Sequence, residues 1–436
     1  MFASLCYNVD RGEWNMKRSE RKIQSATNWQ FILGLLCVVF LVASGILLAE
    51  KINDSVKIKA KSTKTSIVQK KKTSSSPNGV QTARIMANGD LLYHDLLYMS
   101  VLQSDGTYDF TENYQYVKPW LKKADLVLGD FEGTIRPNYP LAGYPLFNAP
   151  ESVVSAIKDA GYQVVDLAHN HILDSQLEGV FSTAKAFEQH GITPIGVYTH
   201  KNRDKTSLVI KKVNGIKIAL LAYSYGFNGL EENISHVDYN HHLSDLNEEK
   251  MKKEIERAEK EADITVVMPQ MGVEYQLEPT QEQKTLYHKM IEWGADIIFG
   301  GHPHVVEPSE VVKQNGQKKF IIYSMGNFIS NQRIETMDGV ENKKWTERGV
   351  LMDVTIEKSK KGTIIKNVQA HPSWVSRVAK GTYSPEGYPL YTYQTYILED
   401  FIEGGKYRDK LDQATKERID TAYQEMNEHV NLKWDE

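Results

Sequence analysis

Six times between Arg84 and Phe328, a short β-rich apolar run breaks off at residues able to bind metal or phosphate. ARIMAN ends in Gly89-Asp90, ADLVLG in Asp130-Phe131-Glu132, and YQVVDLA in His169-Asn170-His171 with Asp174 close behind. DITVVMP ends in Gln270-Met271-Gly272-Val273-Glu274, ADIIFG in Gly301-His302-Pro303-His304, and KFIIYSM in Gly326-Asn327-Phe328. Runs with no polar alternation mark strands buried on both faces. Helical stretches lie between several of them, at 150–160, 176–190, 246–261 and 280–293, with apolar residues three and four apart, as in Val153, Val154, Ile157 and Ala160. This alternation predicts an α/β domain with largely parallel pairing and right-handed crossovers. Ligands of such sheets bind beyond the carboxyl ends of the strands, where all six polar clusters fall. A hairpin over 211–223, turning on Asn214-Gly215, adds antiparallel strands.

Asp, Glu, Asn and His drawn from separate strand ends suit one or two divalent ions, with zinc, manganese or iron fitting imidazole and carboxylate donors. Two such ions about 4 Å apart would clamp a phosphoryl or carbonyl oxygen and activate water, with no Ser or Cys nucleophile needed. Single His-x-His or Gly-Asp pairs are commonplace. Two His-x-His pairs at two apolar strand ends are more specific, because an extended chain presents both rings of a pair on one side. With them, Asp90, Asp130 and Asn170 complete a candidate metal or anion site. His241-His242, in a polar stretch with no strand before it, reads as a surface feature, and His94 as a helix-surface residue, with a place facing the cleft as its alternative. Cysteine contributes nothing here: Cys6 and Cys37 are the only two, so no disulfide framework or thiolate site exists further on.

Charge is divided unevenly. Residues 1–80 hold 13 Lys/Arg against 5 Asp/Glu, leaving 39 against 51 in the remainder, a net of −12. A domain that acidic does not suit nucleic acid, which demands concentrated positive charge. Within the basic portion, Phe31–Ala49 is a run of 19 residues without a charge, close to the ~20 that span ~30 Å of hydrocarbon. It reads as a membrane anchor. A cleaved signal peptide is the rival, disfavoured by the length of the run and by a cleavage-like Ala43-Ser44-Gly45 lying inside it. Lys/Arg counts on the two sides are nearly balanced and leave orientation open. A lone span before a large domain places that domain outside the cytoplasm. Residues 50–82, rich in Lys, Ser and Thr, read as a flexible tether.

Residues 84–330 resemble the bacterial CapA/PgsA capsule-synthesis family, which is similar in fold to calcineurin-like metallophosphoesterases. The resemblance runs in order through Gly89-Asp90, Glu132, Asn170-His171 with Asp174, Gly272 and Glu274, Gly301-His302-Pro303-His304-Val305 and Tyr323–Phe328. It implies an α/β fold, a layered β-sheet core flanked by helices, preceded by one transmembrane helix. The domains implied are a cytoplasmic segment 1–30, the anchor 31–49, the tether 50–82, the CapA-like domain 83–330, and a C-terminal extension 331–436 that completes the sheet and ends in a surface helix near 407–429. It implies Asp90, Asp130, Asn170, His302 and His304 as metal ligands, with Asp130 bridging two ions. Candidate catalytic residues are His171, a partly exposed loop residue acting as general acid or electrostatic stabiliser, together with Glu132 and Glu274, for which ligand, base and structural roles all stay open. Three positions depart from the pattern: Leu92 and Gln270 stand where related proteins place His, and His169 where they place Asn. The activity implied is a membrane-anchored, extracytoplasmic, metal-dependent hydrolase or transferase acting on an anionic surface polymer such as poly-γ-glutamate. The alternative is a non-catalytic accessory protein that binds the polymer or supports a membrane synthase and exporter.

Overall fold

The structure, a computed structural model, describes residues 79–200 and 208–435. The expected anchor at 31–49 lies outside them, as does nearly all of the tether; among the described residues no helix is long and apolar enough to cross a membrane. In the first sheet β1 (Gln81–Leu91), β2 (Leu126–Asp130), β3 (Val164–Asp166) and β4 (Thr193–Ile195) pair in parallel. Helices α1 (Ser152–Ala160) and α2 (Gln176–Gln189) supply the crossovers. The second sheet holds β5 (Val209–Val213), β6 (Ile216–Ser224), β7 (Ile264–Gln270), β8 (Ile297–Phe299), β9 (Ser309–Gln314) and β10 (Gln317–Ile322), in the order β5-β6-β7-β8-β10-β9. Its crossover helices are α3 (Glu248–Glu261) and α4 (Gln281–Trp293). The chain then returns to the first sheet through β11 (Asn327–Ile329), β12 (Arg348–Ser359), β13 (Gly362–Tyr383) and β14 (Pro389–Ile397). That sheet runs β14-β13-β12-β1-β2-β3-β4, with β11 also paired to β1.

The unbroken apolar runs have a direct cause. Ile85, Ala87, Leu126 and Leu128 pack between the sheets against Ile218, Leu220, Val266 and Met268. Their neighbours Met86 and Val127 face α1 and α2, meeting Val153, Ile157 and Val180. On the other side, Ala219, Leu221 and Val267 meet Met251 and Ile255 of α3 and Tyr287 and Met290 of α4. Each central strand is thus sandwiched, and the arrangement is helix, sheet, sheet, helix.

Pairing is mixed, not largely parallel as the alternation predicts. Parallel cores are flanked by hairpins: Asn214-Gly215 joins β5 to β6 and Asn315-Gly316 joins β9 to β10, all four residues with φ between 49° and 89°. Asn-Gly at two left-handed positions is the turn whose twist matches flanking strands. The pairs β1–β12, β12–β13 and β13–β14 are antiparallel as well. The terminal helix α5 (Gln413–Val430) starts later than expected and is no surface helix throughout. Ile419, Ala422, Met426 and Val430, spaced three and four apart, are buried.

Candidate metal centre

The strand ends converge because two glycines let backbones touch. At Gly89 a Cβ would lie 1.9 Å from the Gly326 carbonyl oxygen, so only glycine fits. The contact is closed by Asp90 N–H donating to that oxygen at 3.0 Å, and it turns Asp90 off the end of β1. Register shifts on both sides of β1 at this point free its last residues from regular pairing.

Asp90, Glu132 and His304 each offer a ligand atom within 4.8 Å of the others, and all three are buried. His304 Nδ1 donates to Asp90 Oδ2 at 2.8 Å and stands 3.7 Å from Glu132 Oε2. Asp90 Oδ1, Asp130 Oδ1 and both Glu132 carboxylate oxygens are buried with no hydrogen-bond partner. Gly301 keeps open the space they face: a Cβ there would sit 3.0 Å from Asp130 Oδ2 and 3.6 Å from Asp90 Oδ1. Leaving such groups buried and unpaired is expensive, and a cation among them removes the cost. The donor set, imidazole with carboxylates and no thiolate, fits a borderline or hard divalent ion.

Electrostatics point the same way. Burial, reinforced by Asp166, Asp90 and Glu132, pushes the Asp130 carboxyl well above the usual carboxylate range. Burial also raises Glu132, to about 7, against the pull of His304. His304 loses basicity to burial but regains more from Glu132 and Asp90, reaching about 10. No Lys or Arg contributes to any of these shifts. The cleft keeps protons where a cation would otherwise neutralise it, and cation binding there releases them.

Around this cluster the other expected residues take varied places. Asn170 is buried and its Oδ1 has no partner, but its N–H donates to Gln270 Oε1 at 2.8 Å and its Nδ2 to Asn228 Oδ1 at 3.3 Å. Gln270 is therefore a brace for the Asn170 loop. His302 is buried with Nδ1 unpartnered, its ring 4.5 Å from the Tyr225 ring and 6.1 Å from that of His304, and burial brings its pKa to about 3. Asp130 and His302 lie outside the three-residue cluster. Glu274 is exposed at the rim, near enough for its charge to raise Glu132 and His304.

Several expectations need correction. Neither His-x-His pair is extended. His302 and His304 have φ of 96° and 58°, a strained state for non-glycine residues that clusters at functional sites. Tyr275, φ 65°, joins them, its N–H donating to the Pro303 carbonyl at 2.8 Å. His169 and His171 lie in a turn and take different partners: His169 Nε2 accepts from Gly133 N–H at 3.4 Å, whereas His171 Nδ1 meets Asp174 Oδ2 at 2.7 Å. His171 is not partly exposed but 6% exposed, edge-on to Phe147. His242 is not a surface residue either: it is buried, donates from Nδ1 to the Tyr198 carbonyl at 2.6 Å and packs on Phe181. His94 sits at the cleft wall, its Nδ1 accepting from Asn331 N–H at 3.3 Å. Asp166, buried at the end of β3 and close enough for its charge to raise the Asp130 pKa, is absent from the sequence-based set. The only signal for it was a lone acid inside YQVVDLA.

The fold and cleft together define a layered α/β domain with a buried acid–histidine centre. The family described as bacterial capsule synthesis protein PGA_cap matches residues 84–332, more than half of the chain. The chain belongs to that family, as its motifs led us to expect. It is 34% identical over 228 residues to the capsule biosynthesis protein CapA of Bacillus anthracis, covering 50% of this chain and 54% of that protein. It is 34% identical over 226 residues to the PGA biosynthesis protein CapA of Bacillus subtilis, covering 50% and 57%. The chain thus spans about half the length of the curated relatives it matches. Among solved structures, a phosphatase from Mycoplasma pneumoniae overlays with a TM-score of 0.41 at 12% identity, over 67% of this chain and 94% of that one. A calcineurin-like phosphoesterase from Bacillus subtilis overlays with a TM-score of 0.37 at 14% identity, over 67% and 90%.

Proposed function

We propose that this chain acts in building an anionic surface polymer of the poly-γ-glutamate type, as a membrane-anchored extracytoplasmic hydrolase or transferase that depends on a divalent metal. One observation carries the reading: Asp90, Glu132 and His304 converge within 4.8 Å, buried, beside a glycine that leaves their oxygens room. A divalent ion held there would polarise a carbonyl or phosphoryl oxygen of the polymer. His171 is poised to hold a proton: Asp174 engages its Nδ1 and raises its pKa against the effect of burial, leaving Nε2 for transfer. The lone apolar span and polar tether support the location. A C-terminal reporter that works only outside the cytoplasm tests it, and a silent but fully expressed fusion would overturn it.

Elemental analysis of the purified chain tests the metal. Stoichiometric divalent metal is expected in the parent, with loss in His304→Ala and a weakened content in Gly301→Ala, both still folded. Unchanged metal in folded His304→Ala would sink the assignment. A second reading, an accessory subunit that holds polymer for a membrane synthase and exporter, is favoured by Gln270, whose amide oxygen braces the Asn170 loop in place of a metal-binding imidazole. Metal-free protein that still binds polymer would select it.

A further inference from the structure

Beyond the family-matched residues, a cavity of about 260 Å³ opens between β13 and the first turn of α5, lined by Arg333, Arg377, Arg418, Glu335, Trp374 and Tyr391 among others. Two of its guanidinium groups flank the Trp374 ring, Arg333 at 5.7 Å and Arg418 at 5.4 Å, and the third, Arg377, lies 4.3 Å over the Tyr391 ring. Aromatic walls exclude water and strengthen the attraction for an anion. Against these arginines stand two carboxylates with different standing. Glu347 is 1% exposed and saturated: Trp374 Nε1 and Arg418 Nε donate to its Oε1, each at 2.8 Å, and Arg418 and Arg333 reach its Oε2. Glu335 is 40% exposed, on the loop after β11. Arg333 Nε donates to it at 2.5 Å and Arg418 Nη1 at 2.6 Å, while Arg377 keeps a long pairing of 3.8 Å. Burial would raise the Glu335 pKa, but the hydrogen bonds and charges of Arg418 and Arg333 bring it to about 2.

We propose that this cavity is a carboxylate subsite, in which a side-chain carboxylate of an anionic polymer is gripped by Arg377 and Arg418 in the place Glu335 occupies. The forked guanidinium matches a carboxylate two bonds at a time, and three arginines against two carboxylates leave one positive charge for the ligand. A short stretch of chain links the subsite to the cleft wall. Asn331, whose N–H donates to His94 at the cleft wall, accepts from Tyr393 and stands two residues before Arg333, at most about 7 Å of chain. A polymer leaving the acid–histidine centre therefore meets a basic pocket, which the centre itself lacks. The polymer's identity rests on the function proposed above; the pocket's preference for carboxylate does not.

Calorimetric titration of the purified full-length chain tests this, using a short γ-linked glutamate oligomer, its neutral counterpart with each pendant α-carboxylate replaced by a carboxamide (γ-linked isoglutamine), and free glutarate as probes. The glutamate oligomer alone should bind well, and Arg377→Ala should weaken it roughly tenfold, the value of a charge-assisted hydrogen bond. Glu335→Gln removes the resident competitor and should tighten binding, which decides the matter if Arg377→Ala fails to fold. Unchanged affinity in folded Arg377→Ala, or weaker binding in Glu335→Gln, would overturn the subsite. Glutarate binding as tightly as the oligomer would overturn the polymer assignment. Oligomer binding that depends on His304 and not Arg377 would remove this subsite and leave the metal-centred function standing; the reverse dependence, in metal-free protein, would do the opposite.

Discussion

Two groups of buried carboxylates in this protein are treated in opposite ways. Asp90 and Glu132 are 0% and 1% exposed, and between them leave three oxygens without a partner. Glu347 and Asp353 are 1% and 2% exposed, and every oxygen is taken: Glu347 by Arg418, Arg333 and Trp374, Asp353 by Arg84 with His371 close by. The first group lies at strand ends around an opening kept by Gly301; the second ties β12 to β1, β13 and α5. Charge that is matched within the chain holds the fold together. Charge left unmatched after folding marks where something from outside is meant to bind. Stability measurements on the metal-stripped protein separate the two, because the same chemical change should have large effects in one group and almost none in the other.

The largest effect is expected at Glu347. Replacing it with Gln leaves the buried Arg333 and the half-buried Arg418 with too little negative charge, and breaking a buried pair this way costs about 3–5 kcal/mol. Urea denaturation should show the loss, with bound metal per folded molecule unchanged. A loss under 1 kcal/mol would mean that the charges of this network are dispensable and that the contrast with the cleft is false.

A smaller effect should follow from pH alone. Burial lowers the basicity of His371, but the Asp353 carboxylate 3.6 Å away and the hydrogen bond and charge of Glu399 outweigh it and raise its pKa from 6.5 to about 9. A histidine with a raised pKa contributes stability that is complete below its unfolded value and lost as pH climbs through its folded one. The chain should therefore lose about 2 kcal/mol between pH 6.5 and 9, less than full linkage because Glu399 is partly in solvent. His371→Gln should flatten that slope. A slope that survives the substitution would assign the pH dependence elsewhere.

His171 belongs to the cleft but is paired like a structural residue. Its hydrogen bond to Asp174 and contact with Phe147 set the cost of His171→Asn at about 1–2 kcal/mol, above the value for the partly exposed loop residue that the sequence suggests. Loss of a proton carrier should lower any hydrolytic turnover by roughly 10²–10⁴. Activity that falls only in step with folded protein would make His171 a prop.

How much of this was legible beforehand follows from burial. The strands and their polar ends stood out because both faces of each central strand are covered, which forces uninterrupted apolar runs such as Ile297–Phe299. The ends of those runs include Asp90, Glu132 and His304, which the fold brings within 4.8 Å of one another. Spacing could not foresee left-handed backbone at His302 and His304, since it arises from tertiary contacts of Tyr275 and Pro303. Nor could it foresee the burial of His242, which depends on Phe181 and Tyr198 from elsewhere in the chain. The arginine cavity was invisible for the same reason: its side chains come from positions 333, 377 and 418, none within a motif. Local pattern reveals strands and the residues that end them, whereas cages assembled from distant segments need the fold itself.

The smallest expected stability change carries the most information. Glu132→Gln keeps the shape of the side chain and removes a charge that in the metal-stripped protein is buried among Asp90, Asp130 and the rim residue Glu274. His304 loses one of its two carboxylate neighbours but keeps the shorter bond, 2.8 Å to Asp90. Repulsion relieved and attraction lost nearly cancel, so the melting temperature of stripped protein should stay level or rise, the reverse of Glu347→Gln. Added metal should then separate the two proteins. Parent protein gains stability from any ligand bound only by the folded state, about 2.7 kcal/mol at a hundredfold excess over Kd. Glu132→Gln, with an amide oxygen in place of a carboxylate, should gain far less. Thermal denaturation with and without added zinc or manganese measures both arms. If the substitution costs as much as Glu347→Gln in the absence of metal, the cleft carboxylates belong to the structural network, and the division between matched and unmatched charge collapses.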